Sequence, residues 1–132
     1  MEAAEDELDL GGALGAGSGE SFQVLALYIP DRDRHGEEIG TQRRWVIEAA
    51  NLLARIGGGV TIEPPVEGGW LDDENGNVIW ERPVRLYTYV IPEPFKERIG
   101  ELRALVGRET NQGEVVVEFD GHFFRIREFE GS

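Results

Sequence analysis

Cysteine is absent from the 132 residues of the chain. Its absence excludes disulfide bonds, thiolate catalysis and zinc sites built on cysteine. The sequence also has no apolar run near the ~20 residues that a membrane-spanning helix needs. No basic N-terminus precedes an apolar stretch of the kind that makes a secretory signal. We therefore expect a soluble cytoplasmic protein with no membrane association.

Positive charge is scarce as well. Thirteen Lys and Arg residues stand against 26 Asp and Glu residues, so the net charge is -13, and Lys96 is the only lysine. Binding to the phosphate backbone of nucleic acid needs a basic face, so we expect no direct contact with nucleic acid. A high net charge by itself keeps proteins soluble. It would also suit an acidic inhibitor that occupies the basic surface of a nucleic-acid-binding protein, and that alternative stays open.

Composition divides the chain into two parts. Residues 1–20, MEAAEDELDLGGALGAGSGE, are acidic and then rich in glycine and alanine, without an aromatic residue. This predicts a disordered acidic arm, in which residues 6–10 could dock into a protein partner. Residues 21–132 alternate between strand-like and helix-like patterns and are long enough for one domain with its own core.

The hydrophobic periods predict the elements of that domain. SFQVLALYIP is apolar on both faces, as a central strand is. A helix follows from Thr41, with Gly57 as its left-handed stop. VTIEPP predicts a short strand, GGWLDDENGNVIWE a hairpin around Asn75-Gly76, and PVRLYTYVI a long strand. PEPFKERIGELRALVG predicts one second helix ending at Gly107, and EVVVEFDGHFFRIREF two strands.

The order of these elements is β-α-β-β-α-β with an extra C-terminal strand. It predicts an α+β fold of the ferredoxin-like type, in which an antiparallel sheet carries two helices on one face. Tyr87 and Tyr89 would lie on the opposite face, so that face also needs cover. In a chain this short a second copy is the economical cover, and we expect a homodimer joined through a self-complementary patch.

Three segments that could suggest ligand chemistry favour a structural interpretation. The glycine run 57–59 follows a helix, whereas phosphate loops precede one. LDDENG would place Leu71 at the first ligand position of a calcium loop, which is the wrong residue type. Asp31, Asp33 and His35 alternate with arginines that would repel a cation. The sequence therefore predicts no metal site and no cofactor.

One set of residues remains as a candidate ligand site: Thr61, Trp70, Glu81, Arg85 and Tyr87. Aromatic walls with a few converging polar groups are typical of small-ligand pockets. A carboxylate held against aromatic rings can have a raised pKa and serve as a general acid or base. The alternative is structural, with Glu81 and Arg85 forming an ion pair on one face of a strand.

The segment from about residue 24 to 91 resembles a group of small uncharacterised bacterial proteins. The resemblance is carried by YIPDRD, a helix, GGGVT, GGW and GNVIWE, which match a Gly-Gly-x-Thr turn, a Gly-x-Trp and a following glutamate. The matching positions are Gly58, Gly59, Thr61, Gly69, Trp70 and Glu81, although Gly69 is directly adjacent to Trp70. The resemblance implies a ferredoxin-like fold and no established activity.

Three functional hypotheses follow. The first is a small binding or regulatory protein, dimeric and without enzymatic activity, whose ligand is unidentified. The second is a small dimeric enzyme that uses Glu81 as general acid or base in a tryptophan- and tyrosine-lined pocket. The third is the acidic inhibitor, which predicts a stripe of carboxylates on the folded surface, whereas carboxylates interleaved with arginines would argue against it.

Overall fold

The computed structural model describes residues 8–16, 22–33, 35–109 and 114–126. The helices and strands in chain order are α1 (Leu10–Ala13), β1 (Gln23–Ile29), α2 (Gln42–Gly57), β2 (Thr61–Ile62), β3 (Gly68–Leu71), β4 (Val78–Glu81), β5 (Val84–Val90), α3 (Pro92–Lys96), α4 (Ile99–Glu109), β6 (Val115–Phe119) and β7 (His122–Ile126). Within these ranges no helix combines the length and the apolar character that crossing a membrane requires.

Five strands form one sheet in the order β2-β5-β1-β6-β7, and every neighbouring pair is antiparallel. Strand β1 is central, as its apolar residues on both faces predicted. It pairs Leu27 with Leu86 of β5 on one side and with Val117 of β6 on the other. The α+β prediction with an antiparallel sheet is confirmed.

The core lies between one face of this sheet and the helices α2 and α4. On that face Leu25, Leu27 and Ile29 of β1 are almost completely buried. Trp45 of α2 and Leu105 of α4 belong to the same cluster of buried side chains. Alternate residues point the other way, because successive side chains of a strand face opposite sides. The sheet therefore has a core face covered by α2 and α4, and we call the opposite face, on which Tyr89 is exposed, the open face.

Helix α2 ends one residue later than the sequence indicated. Gly58, and not Gly57, has the left-handed conformation (φ 90°), and its N–H donates to the carbonyl oxygen of Ala54. Gly57 lies so close to β5 that an added Cβ would be 2.7 Å from the carbonyl oxygen of Tyr89. Three consecutive glycines look alike in a sequence, and tertiary contact decides which of them turns the chain. The run does sit at a helix C-terminus, as predicted.

The second predicted helix is two helices, and this part of the prediction was wrong. The chain leaves the α-helical pattern after Lys96, because Glu97 and Arg98 donate to the carbonyl oxygens three residues before them, at 3.2 and 2.8 Å. Such bonds form a tighter turn than the α-helix and interrupt it between α3 and α4. As a result Ile99, expected in the apolar stripe, is 45% exposed. Helix α4 continues past Gly107 to Glu109.

Both predicted hairpins are present. Gly76 has φ 74° in the turn between β3 and β4, and Asp120 and Gly121 have φ 51° and 80° between β6 and β7. Two consecutive positive φ angles fit the twist of adjoining strands. Strands β3 and β4 form their own two-stranded sheet, and Pro83 lies between that hairpin and β5.

The predicted N-terminal arm is described only in part. Residues 1–7 and 17–20 lie outside the described ranges. Between them, residues 10–13 form one helical turn, in which the N–H of Gly12 donates to the Asp9 carboxylate at 3.0 Å. Leu10 and Leu14 are 54% and 72% exposed.

Candidate functional site

The candidate site is centred on Glu81, the last residue of β4, where the hairpin leads into β5. Both main-chain groups of the next residue, Arg82, are held by side chains. Its N–H donates to Asp31 Oδ1 at 2.9 Å, and its carbonyl oxygen accepts from Gln42 Nε2 at 3.1 Å. Gln42 also donates to the carbonyl oxygen of Ile29 at 3.2 Å. The backbone beside Glu81 is thereby fixed to the end of β1 and the start of α2.

Glu81 lines a cavity of about 300 Å³. Its other lining residues are Tyr28, Pro30, Pro83, Glu114, Val116, Phe123 and Arg125. The walls are mainly apolar and aromatic, and the volume is at the lower end of what a small organic ligand occupies. Arg125 and Glu114 form a two-point ion pair, with Nε–Oε1 at 3.2 Å and Nη2–Oε2 at 3.3 Å. This pair leaves Glu81 as the ionisable group of the cavity without a partner among the described residues.

Burial raises the pKa of the Glu81 carboxyl above its usual value, and the charges of Asp31 and Glu114 raise it further. Arg125 and Arg32 oppose this effect without cancelling it. Glu81 therefore keeps its proton to a higher pH than an exposed glutamate does. Such a carboxyl can donate a hydrogen bond, accept a proton or stabilise a positive charge on a ligand.

A second cavity, of about 510 Å³, also touches Glu81. It is lined by Asp31, Arg32, Glu38, Glu67, Trp80, Glu81 and Arg82. In contrast to the first cavity, six of these seven side chains are ionisable and only Trp80 is apolar. Glu81 thus belongs to an apolar cavity and to a charged one.

A network around Arg85 lies on the open face next to the first cavity. Arg85 donates to Glu63 at 2.9 Å and to the Tyr28 hydroxyl at 3.0 Å, and its Nη2 lies 3.4 Å from Glu118. The guanidinium also lies 5.0 Å from the centroid of the Tyr87 ring. Burial raises the pKa of Tyr28, as does the hydrogen bond that its hydroxyl donates to Glu118. The network fixes one aromatic wall of the cavity.

The five predicted site residues fall into three places. Thr61 and Tyr87 are direct partners across β2 and β5, and Arg85 lies against Tyr87 on the same face. Glu81 is in the first cavity. Trp70 is in β3, opposite Ile79, and lines neither cavity. Of the five predicted residues, Glu81 is therefore the one that lines these two cavities of the described structure.

The alternative ion pair between Glu81 and Arg85 is not formed. The ion-pair partners of Arg85 are Glu63 and Glu118. The physical reason is the break at Pro83, which places Glu81 in the small hairpin sheet and Arg85 in the main sheet. Side-chain alternation does not continue across such a break. Two residues an even number of positions apart therefore need not lie on the same face.

Sequence reasoning missed the other cavity residues, above all Tyr28, Phe123 and Arg125. Their signal is weak because β1 and β7 are distant in sequence, and β7 joins the sheet through β6, on the far side of β1 from β5. The Asp120-Gly121 turn could have indicated the positions of Phe123 and Arg125. That turn sets the register between β6 and β7, and the register places Phe123 and Arg125 on the open face opposite Glu118 and Val116.

Asp31 and Asp33, considered above as possible metal ligands, instead accept hydrogen bonds from main-chain N–H groups. Asp33 Oδ1 accepts the N–H of His35 at 2.8 Å and of Glu37 at 2.9 Å. Asp31 holds the N–H of Arg82. The described ranges contain no group of three or more histidine, aspartate or glutamate side chains arranged to hold a metal ion.

No family model matches the chain, and no curated protein matches it. A solved structure of similar fold is a phage SAM lyase in complex with S-methyl-5'-thioadenosine. The two chains are 15% identical and superpose with a TM-score of 0.58 over 82% of this chain and 91% of that chain. At this identity the likeness shows a shared fold and nothing further.

Proposed function

We propose that the protein binds a small molecule in the cavity between Tyr28, Phe123 and Glu81. The observation that carries the proposal is the Glu81 carboxyl, which is half-buried between aromatic walls without an ion-pair partner among the described residues. A buried ionisable group without a partner has an energetic cost. Such groups cluster at binding and catalytic sites.

The ligand of the phage protein offers a first probe. S-methyl-5'-thioadenosine combines a flat base with an uncharged thioether, which suits apolar and aromatic walls. Binding would be measured by isothermal titration calorimetry. We expect Phe123→Ala to weaken binding about fivefold or more, because stacking of a base on an aromatic ring is worth ~1–3 kcal/mol. Both Phe123 and its neighbour Phe124 are at least half exposed, at 61% and 50%, so neither change should unfold the protein.

Phe124→Ala is the matched control. Phe124 follows Phe123 directly and is opposite Val117, a residue of the core face, whereas Phe123 is opposite Glu118 on the open face. Truncation of Phe124 should therefore leave binding unchanged. Equal losses in both variants, or none in either, would argue against this cavity as the binding site.

A second candidate function is an enzyme in which Glu81 is the general acid or base. The raised pKa of Glu81 supports it, because a catalytic acid or base works best when its pKa approaches the working pH. The substrate to try first is S-adenosylmethionine, a sulfonium compound, since the neighbour of similar fold is a SAM lyase. Conversion would be followed by chromatography of the products across a pH series.

Glu81→Gln should abolish any such conversion, because the amide neither takes up nor releases a proton. Glu97→Gln is the control, since Glu97 is an exposed carboxyl that lines neither cavity. Circular dichroism of both variants would show that the fold is intact. A conversion rate that survives Glu81→Gln would exclude the acid–base role.

We also infer a ferredoxin-like core and a homodimer that covers part of the open face. The strand order β2-β5-β1-β6 supports the first, because the split β-α-β motif places its first strand between the strands that flank the second helix. Tyr89, 52% exposed on the open face, supports the homodimer.

If the protein is a dimer, light scattering after size exclusion should give twice the 14.7 kDa chain mass. Tyr89→Glu should reduce it to a monomer, and Ile99→Glu on α4 should not; a monomeric native protein would contradict the dimer.

The described surface favours these proposals over the acidic inhibitor. Several of its carboxylates form ion pairs with arginines, for example Glu48 with Arg44 and Glu101 with Arg98. A mimic of a polyanion needs an unneutralised stripe instead. A partner for the acidic arm and a cytoplasmic location both stay predictions.

A further inference from the structure

We propose that the second cavity is a subsite for an α-amino-acid group, and that the ligand extends past Glu81 from one cavity into the other. The proposal rests on the proposed function, since it extends the ligand of the first cavity. In it Arg82 receives the carboxylate of the ligand, and Glu38 and Glu67 receive the ammonium group.

The charged groups of the second cavity are not equally available. Arg32 donates from Nη1 to the carbonyl oxygen of Gly36 at 3.0 Å, and Asp31 Oδ1 accepts the N–H of Arg82. By contrast, the side chains of Arg82, Glu38 and Glu67 form no hydrogen bond or ion pair with any residue in the described ranges. Three charged groups of both signs therefore face a cavity without being paired to each other.

This combination of charges selects the ligand. A purely anionic group at Arg82 would also meet the carboxylates of Glu38 and Glu67. A purely cationic group would meet the guanidinium of Arg82. An α-amino-acid group carries one charge of each sign on neighbouring atoms, so it can satisfy both. Arginine pairs with carboxylates in a two-point geometry, and such charge-assisted hydrogen bonds are the strong ones.

Glu81 connects the two subsites. It lines the apolar cavity with Tyr28 and Phe123 and the charged cavity with Arg82. A molecule with a flat or apolar body and an amino-acid tail matches the apolar cavity at one end and the charged cavity at the other. Trp80, 66% exposed, is the apolar residue of the charged cavity and can cover the carbon chain that joins the two ends. The ligand class is therefore an amino acid with a large apolar or heteroaromatic substituent.

Two thioether compounds can distinguish binding at the first cavity from binding at the amino-acid subsite. S-methyl-5'-thioadenosine has the nucleoside and lacks the amino-acid group, whereas S-adenosylhomocysteine carries both. Calorimetry at low salt should show S-adenosylhomocysteine binding at least tenfold more tightly. Arg82→Ala and Glu67→Gln should each remove about fivefold to tenfold of that affinity and leave S-methyl-5'-thioadenosine unchanged, since hydrogen bonds to charged groups are worth more than neutral ones.

Arg55→Ala provides the control for the loss of a positive charge. Arg55 is an exposed arginine in the last turn of α2, whereas Gln42, which contacts Arg82, is in the first turn. Arg82 and Glu67 are exposed, and Arg82 is anchored through its backbone, so both variants should keep the native circular dichroism.

The outcomes separate the two proposals. A preference for S-adenosylhomocysteine that Arg82→Ala removes and Arg55→Ala does not supports the amino-acid subsite. Equal affinities for both compounds, lost in Phe123→Ala and unaffected by Arg82→Ala, would overturn the subsite and leave the first cavity as the binding site. Absence of binding by either compound would overturn both proposals.

Discussion

Gly57 tests how closely helix α2 is packed against the sheet. A Cβ at this position would be 2.7 Å from the carbonyl oxygen of Tyr89 and 2.9 Å from Cγ2 of Thr88, and it would also collide with the Thr88 hydroxyl. The carbonyl belongs to the backbone of β5, next to the central strand, and cannot rotate away. Relieving the contact with Tyr89 to an ordinary separation of about 3.4 Å requires a shift of roughly 0.7 Å between α2 and β5.

Overpacking of this kind costs ~1–3 kcal/mol. Replacing glycine by alanine inside a helix returns up to ~1 kcal/mol of backbone entropy. The variant Gly57→Ala should therefore lose about 1–2 kcal/mol of unfolding free energy, or roughly 3–8 °C in Tm for a chain of this size. Urea and thermal unfolding followed by circular dichroism would measure both.

Gly100→Ala is the matched control. Gly100 lies in α4, and an added Cβ there has no atom within 4 Å, so only the helix propensity changes. We expect this variant to be more stable than the native protein by up to ~1 kcal/mol. If Gly57→Ala were stabilised to the same degree as Gly100→Ala, the close approach of α2 to β5 would be refuted.

Two further changes probe the site. Burial raises the pKa of Glu81 in the folded state above its value in the unfolded state. The native state therefore binds the proton more tightly than the unfolded state does. As a result, the stability of the protein falls as pH rises from the unfolded-state pKa to the folded-state pKa. Glu81→Gln should therefore be more stable than the native protein at about pH 8 and lose this advantage at about pH 4, as urea unfolding at both pH values would show; the reverse order would contradict the raised pKa. Arg85→Met should cost ~1–3 kcal/mol, because it removes the ion-pair partner of Glu63 and Glu118; unchanged urea midpoints would show that the network adds nothing net.

Much of the fold could be predicted because its signals are local. The alternation of apolar and polar residues along 84–90 predicts a strand by itself, and the Asp120-Gly121 pair predicts a turn by itself. Both predictions are confirmed. The failures came where distant contacts decide. The break between α3 and α4 is made by hydrogen bonds of Glu97 and Arg98 that the hydrophobic pattern does not indicate. The choice of Gly58 over Gly57 depends on how closely α2 approaches β5.

The site was predictable to a smaller degree, for the same reason. Glu81 was identified because the sequence places it beside the tryptophans of the hairpin, where a carboxylate can have a raised pKa. Its cavity could not be identified, because Tyr28 and Phe123 reach it through the pairing of β1 with β6 and of β6 with β7. The error about Arg85 shows the limit of parity arguments, since one proline separates the two sheets.

The placement of Glu81 and Arg82 supports a binding function more strongly than any single contact does. Side chains from two other elements, Asp31 and Gln42, hold the N–H and the carbonyl oxygen of Arg82, so the backbone is fixed to within hydrogen-bond geometry. The side chains of the same two residues are left without ion pairs in the described structure, each facing a cavity. A chain optimised for stability alone would pair these charges or replace them, since an unpaired, half-buried carboxyl lowers stability. Rigid placement of unpaired ionisable groups is instead what a binding site requires, because the ligand then meets groups already in position. If Glu81→Gln stabilises the fold while removing ligand binding, one variant will show both the stability cost of the carboxyl and its role in binding.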